Sequence, residues 1–346
     1  MSVITPALRF PHATPPDDGD FREVAPGILW LRLALPFQLN HVNLFLIEDD
    51  AGWALVDTGI GNSRTRAVWD DLLGGRLGGR RLSRLIVTHF HPDHAGLAGW
   101  LAERCGLELS MSQTEYLFSQ NMRHNPLAID SPPHRGFYLR HGLLPAAVEP
   151  VLTRGHGYLR MTTDLPPSYR RLAAGRTLRI GGRTFEIMTG AGHAPEQVML
   201  LCRAEKLFFP ADQVLARISP NISVSGWEPH ANPLGDYLTS LAALRATVPD
   251  DVLVLPAHNL PFWGLHQRID ELIQHHEFRC DEIEAACRLR PHTAADLLPV
   301  LFRRRLDEHQ TGFAFGEVLA HVNLMLHTGR LTAQIDTDGL VRQTTA

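Results

Sequence analysis

At 346 residues, 44% hydrophobic and 20% charged, the chain has the composition of an ordinary globular protein, long enough for two domains. A formal charge of −4 gives no general attraction to nucleic acid or to an anionic membrane. Four scattered cysteines (Cys105, Cys202, Cys280 and Cys287) form no CxxC pair and no disulfide framework, and no apolar run approaches the ~18 residues of a membrane span. Without a basic region followed by an apolar stretch at the N-terminus, the expected location is cytoplasmic.

Residues 1–20, rich in Pro, Asp and Thr, read as an extended N-terminal arm. The next stretch predicts three strands: Gly27–Leu35, Val42–Glu48 and Trp53–Val56, the last two joined by a turn at Asp49-Asp50-Ala51-Gly52. Asp57 follows directly. It reads either as a cap for the next turn or as a carboxylate orienting a metal-bound histidine. A helix is expected over Arg64–Leu73, closed by glycines, and then a buried strand over Leu82–Val87.

That strand ends in His89-Phe90-His91-Pro92-Asp93-His94. In extended chain, His89 and His91 share a face. Pro92 ends the strand, so Asp93 and His94 are expected on a loop that turns toward the same volume. Imidazole and carboxylate are the donors preferred by zinc and related divalent ions. A single histidine is usually structural, but four donors within six residues at a strand end point to a metal.

Residues 112–172 read as a helical insertion folded over the site and setting substrate choice, with many prolines dividing it into short pieces. His124, His134 and His141 read as surface or hydrogen-bonding residues. His156, between two glycines, and Tyr158 are the residues expected to touch substrate. Strands return at Thr177–Ile180, Thr184–Met188, Val198–Cys202, Leu207–Phe209 and Val252–Leu255, with a helix over Leu238–Thr247. Three of these strands run into His193, Asp212 and His258. Apolar strand, then small residue or proline, then metal-ligand type is a pattern repeated too often for chance, and sites in layered α/β folds form at strand ends.

The set His89-x-His91-x-Asp93-His94, then Gly190-Ala191-Gly192-His193-Ala194-Pro195-Glu196, then Pro210-Ala211-Asp212-Gln213, then Pro256-Ala257-His258 resembles the metallo-β-lactamase-fold hydrolase superfamily. The resemblance covers residues 21–262 and implies an α+β fold, an αββα sandwich with a dinuclear metal site at one edge. It also implies that His89, His91 and His193 hold one ion and that Asp93, His94 and His258 hold the other. Asp212 bridges them, and Asp57 matches the family's early supporting aspartate. The implied cofactors are two divalent ions, zinc first, with iron or manganese fitting the same donors. The implied chemistry is attack by a metal-bridging hydroxide, with Asp93 accepting a hydrogen bond from the nucleophile, on a thioester, ester or lactone of a small acyl substrate. A metal-dependent endoribonuclease or phosphodiesterase, or a mono-iron persulfide dioxygenase-like enzyme, is the alternative.

From Gly264 onward the pattern is helical, with further helices expected over Thr293–Phe302 and Phe315–Leu326 and a hairpin after Gly329. Residues 263–346 resemble the small winged-helix domain appended to some thioesterase-like and endoribonuclease-like members. Nine arginines against twelve acids over residues 262–346 make this region net negative, which argues against nucleic acid and for packing, with a homodimer as one role.

Overall fold

Two β-sheets lie face to face, with helices on both outer sides. The computed structural model describes residues 7–125 and 130–346, and the side chains of residues 154–156, 308 and 309 lie outside that description. The first sheet takes its strands in sequence order: β1 (Phe21–Ala25), β2 (Ile28–Ala34), β3 (His41–Asp49), β4 (Gly52–Val56), β5 (Leu82–Ile86), β6 (Leu109–Met111) and β7 (Arg170–Arg171). Pairing is antiparallel as far as β4 and parallel from β4 to β7. The β3–β4 turn depends on Gly52. At φ 148°, a Cβ there would lie 2.0 Å from the Arg81 carbonyl oxygen.

The second sheet runs in the order β12 (Leu253–Pro256), β11 (Leu207–Ala211), β10 (Gln197–Cys202), β9 (Arg183–Gly190), β8 (Thr177–Ile180). Only β11 and β12 are parallel, and the crossover between them carries α8 (Pro233–Thr247). Between the sheets, Trp30, Phe45 and Val56 from the first meet Phe185, Leu200 and Phe209 from the second. Large side chains so fully buried contribute roughly 1.5–3 kcal/mol each before entropy is counted. Continuous apolar runs such as Gly52–Val56 and the Val198–Cys202 stretch of β10 are buried along their whole length, as strands covered on both faces must be.

The outer face of the first sheet is covered by α1 (Ser63–Asp71) and α3 (Ala98–Cys105), through Trp69, Ala98 and Leu101. The outer face of the second is covered by α8 together with α9 (Leu265–Leu289) and α11 (Glu308–His327). Leu241, Ile269, Phe315 and Leu319 belong to this one apolar cluster. The C-terminal helices therefore share a core with the second sheet's own crossover helix. Cys280 and Cys287 are buried in it as free thiols. Between β6 and β7 lie α4 (Gln113–His124), α5 (Pro132–Arg140), α6 (Pro145–Leu152) and α7 (Arg154–Met161), so the described part of this segment is mainly short helices.

Several elements differ from the sequence reading. Asp93 and His94 sit on a one-turn helix, α2 (Pro92–Ala95), not a loop, because Pro92 at its first position starts a turn as readily as it ends a strand. Over Thr293–Phe302 only α10 (Leu298–Leu301) is helical, since the Asp296 carboxylate accepts from both the backbone N–H and the hydroxyl of Thr293 and closes a local turn. Conversely, α11 begins well before Phe315, where Asp307 and Gln310 form a capping box. The hairpin of β13 (Leu331–Ile335) and β14 (Val341–Thr345) follows as predicted. Residues 9–20 of the arm pack on the body. Arg9 and Trp263 exchange backbone hydrogen bonds, and Gly19 N–H donates to the Arg32 carbonyl. Among the described residues no helix is long and apolar enough to cross a membrane.

Candidate metal centre

The strands β4, β5, β9, β11 and β12 all end at one edge of the sandwich, and the chain leaves them at Asp57, at His89, toward His193, at Asp212 and toward His258. Backbone bonds between the sheets close that edge: Val198 N–H donates to the Thr88 carbonyl at 2.8 Å and Asn43 N–H to the Ala257 carbonyl at 2.7 Å. Three of the four non-glycine residues with positive φ among those described lie here: Asp57 at 63°, Ala211 at 49° and Asn259 at 68°. Such backbone costs about 1 kcal/mol or more per residue and persists where surrounding structure holds it.

The donor atoms form three overlapping groups. His89, His91 and His193 converge; so do His89, His94 and Asp212; so do Asp93, His94 and His258. His91 Nδ1 faces His89 Nε2 at 2.9 Å and His193 Nε2 at 3.0 Å. Asp212 spans the groups: its carboxylate lies 3.2 Å from His193 Nε2, 3.4 Å from His258 Nε2 and 3.6 Å from His94 Nε2. Asp93 is 3.4 Å from His258 Nε2.

Supporting contacts fix which nitrogen points inward. His94 Nδ1–H donates to Asp57 at 2.8 Å, and His89 Nδ1–H donates to the Thr88 hydroxyl, which itself donates to the same Asp57 carboxylate. His193 Nδ1–H donates to the Asn221 carbonyl at 2.9 Å, and His258 Nδ1–H to the His41 carbonyl at 2.7 Å. Four imidazoles thus have Nδ1 occupied and present Nε2 to the centre. The Asp57 carboxylate thus reaches two of the histidines, His94 directly and His89 through Thr88.

Electrostatics divide the cluster in two. Burial, then neighbouring imidazoles, hold His89 well below its ordinary pKa and His91 at about 3, so both are neutral donors. Burial also opposes charge on His94 and His258. The Asp93 and Asp212 carboxylates outweigh it, raising His94 well above the ordinary value and His258 to about 10. Burial raises Asp93 and Asp212 in turn, yet the facing histidines keep both low.

This donor set fits divalent cations. Two bare nitrogens, on His89 and His193, face His91 Nδ1, and His94 Nε2 and Asp212 Oδ1 are buried without a hydrogen-bond partner. Divalent cations at this edge would take up these atoms.

Besides Thr88 and Asn221, two more supporting residues escaped the sequence reading. Glu115, on α4, is fully buried, and its two oxygens accept from Phe90 N–H at 3.0 Å and Glu196 N–H at 2.6 Å. It thereby ties the His89–His91 loop to the His193 loop. Burial pushes its carboxyl up to about 7. A glutamate near a helix start ordinarily reads as a surface charge, so only the fold identifies it. His41 is the other: its carbonyl holds His258 and its Nε2 accepts from Asn259 N–H at 2.9 Å. Glu196 accepts from Thr114 N–H and docks α4 on the same loop.

Tyr158 is buried. Its hydroxyl donates to the Phe90 carbonyl at 3.0 Å, and its ring clusters with Met122, Phe90, Phe118 and Trp227. Phe90 in turn packs on His91, ring centroids 4.4 Å apart. The side chain of His156 lies outside the described residues.

Comparisons with known proteins agree with this geometry. Residues 38–258 match the family described as the metallo-beta-lactamase superfamily, and residues 280–346 match the metallo-beta-lactamase-like C-terminal domain. A probable metallo-hydrolase, YqjP, of Bacillus subtilis is 22% identical over 86% of this chain and 92% of its own. The crystal structure of a beta-lactamase domain protein from Burkholderia ambifaria superposes with a TM-score of 0.90 at 41% identity, covering 98% of both chains. A metallo-beta-lactamase family protein from Thermus thermophilus superposes at 0.80 with 27% identity, over 94% of this chain and 100% of that one. Matched over most of its length by family, relatives and fold, the chain belongs to the metallo-β-lactamase superfamily of metallo-hydrolases.

Proposed function

We propose that the protein is a dinuclear metallohydrolase that cleaves a thioester, ester or lactone bond of a small acyl substrate. The observation that carries this reading is the convergence of seven donor side chains with four imidazoles turned by their supports to offer Nε2. His89, His91 and His193 would hold one ion, Asp93, His94 and His258 the other, with Asp212 between them. Zinc suits this nitrogen-rich set first. When bound, two such ions lower the pKa of a shared water and polarise the scissile carbonyl.

The chain's own residues do the rest. Asp93, the more exposed of the two acids (19% against 7% for Asp212), would accept a hydrogen bond from the attacking water. Asp57 and Thr88 keep His89 and His94 aimed. Phe90 packs on His91 and joins an apolar cluster with Met122, Tyr158, Phe118 and Trp227, surroundings that suit an acyl or aryl group better than a phosphodiester. A panel of acyl thioesters, esters, lactones and phosphodiesters tests the proposal. Chelator-sensitive hydrolysis of an acyl substrate is expected; cleavage of phosphodiesters alone, or of nothing, contradicts it.

A further inference from the structure

The segment between Asp212 and α8 supplies the carbonyl of Asn221 to His193 Nδ1 at 2.9 Å; it touches the β9–β10 connection, Asn259 and the helical insertion, and a further set of its contacts is with the C-terminal helices. Arg268 on α9, buried, donates to the carbonyls of Leu215 at 2.6 Å and Ile218 at 3.0 Å. On α11, the Gly316 carbonyl accepts from Val224 N–H at 3.1 Å. Asn323 donates to the carbonyls of Pro229 at 3.0 Å and Ala231 at 2.8 Å. Ser223 donates to the Asn221 side-chain oxygen, joining Asn221 to the strip that lies on Gly316. The approach at Gly316 is close: a Cβ there would meet Ser223 Oγ at 2.8 Å, Ser223 Cβ at 2.9 Å and the Val224 carbonyl oxygen at 3.3 Å.

We propose that the C-terminal helices are part of the metal site's machinery: Gly316, Asn323 and Arg268 are positioning residues that hold segment 213–232 so that Asn221 keeps His193 aimed. The inference rests on the dinuclear reading above. Its content is asymmetric. The supports of His89, His94 and His258 come from Thr88, Asp57 and His41, whereas the segment that carries Asn221, the support of His193, is itself held in part by helices beyond residue 262. Disturbing the C-terminal contact therefore weakens the three-histidine site and spares the Asp93/His94/His258 site.

The test is a titration of full-length, metal-free protein with Co²⁺, following stoichiometry and visible absorption, for the parent, Gly316→Ala, Asn323→Ala and the exposed hairpin control Ile335→Ala. Gly316→Ala pushes on the strip, while Asn323→Ala releases it with no new bulk, so a folding failure of the first leaves the second. Thermal melts accompany each. Loss of a support of this kind weakens a metal site by roughly 10–100-fold. The expected result is that loss at one Co²⁺ site only, with an altered absorption band, unchanged binding at the other site and a parental Ile335→Ala. Two sites of parental affinity and spectrum in both variants, or equal weakening of both sites, overturns the inference. A parent that binds no Co²⁺ overturns the dinuclear reading itself, and this inference with it.

Discussion

His94 Nδ1 lies 2.8 Å from a carboxylate oxygen of Asp57, and both side chains are almost wholly buried. The same carboxylate reaches His89 through the Thr88 hydroxyl, so one acid orients an imidazole from each half of the centre. Asp57→Ala removes the buried acceptor from His94 and from two donors on Thr88. The variant is expected to lose about 3 kcal/mol of stability in denaturant melts, within the range for breaking a buried pair. Metal affinity should fall by roughly 10–100-fold in a competition assay with a chromogenic chelator. Parental stability and affinity together would show that Asp57 only caps a turn.

Glu115 makes a second, independent prediction. Glu115→Ala strands the N–H groups of Phe90 and Glu196, both in loops that carry metal donors. An unsatisfied buried donor costs roughly 1–3 kcal/mol, so the pair sets an expected loss of about 3 kcal/mol. Because the strap joins loops far apart in sequence, hydrogen exchange at Phe90 and Glu196 should accelerate together. Exchange that rises at one and not the other contradicts a shared strap.

The paired charges give a pH dependence. His258 in the metal-free protein is raised to about 10, above its unfolded value near 6.5, and His94 is raised as well. Their pairing with Asp93 and Asp212 thus stabilises the metal-free protein fully below about pH 6.5 and fades as pH climbs toward 10. Metal must displace those protons. Calorimetric titration with Zn²⁺ at pH 8, in buffers of different ionisation enthalpy, should reveal release of about three protons per chain, two from His94 and His258, one from the shared water and none from His89 or His91. Binding heats independent of the buffer would refute this division of the site.

Tyr158→Phe separates support from substrate contact. The hydroxyl donates to the Phe90 carbonyl while the ring stays in the apolar cluster, so the change should cost about 1 kcal/mol and leave KM for an acyl substrate nearly unchanged. A large rise in KM would instead place the phenol against substrate.

What was legible in the sequence follows physical lines. The donors stood out because each follows an apolar strand, a local signal, and the order of the antiparallel strands β2, β3 and β4 followed from their short connections. Asp57 had two readings on local grounds, and only the approach of His94 across 37 positions chose between them. Glu115 and Asn221 carried no local mark: one acts through backbone N–H groups brought near by folding, the other through a main-chain carbonyl that any residue type supplies. The Pro92 turn misled because proline both stops strands and starts helices. In the C-terminal region the hairpin and the helices α9 and α11 were visible in the pattern. The sharing of one core with the second sheet was not, since apolar stripes do not name their partner.

The central claim is that this strand edge builds two metal positions sharing Asp212. Crystals grown from Zn²⁺-loaded protein, with anomalous diffraction recorded at the zinc edge, test it most directly. The account predicts two anomalous peaks per chain, one within bonding distance of His89, His91 and His193 and one of Asp93, His94 and His258, with an Asp212 oxygen at each. A single peak, or none at this edge, would contradict it.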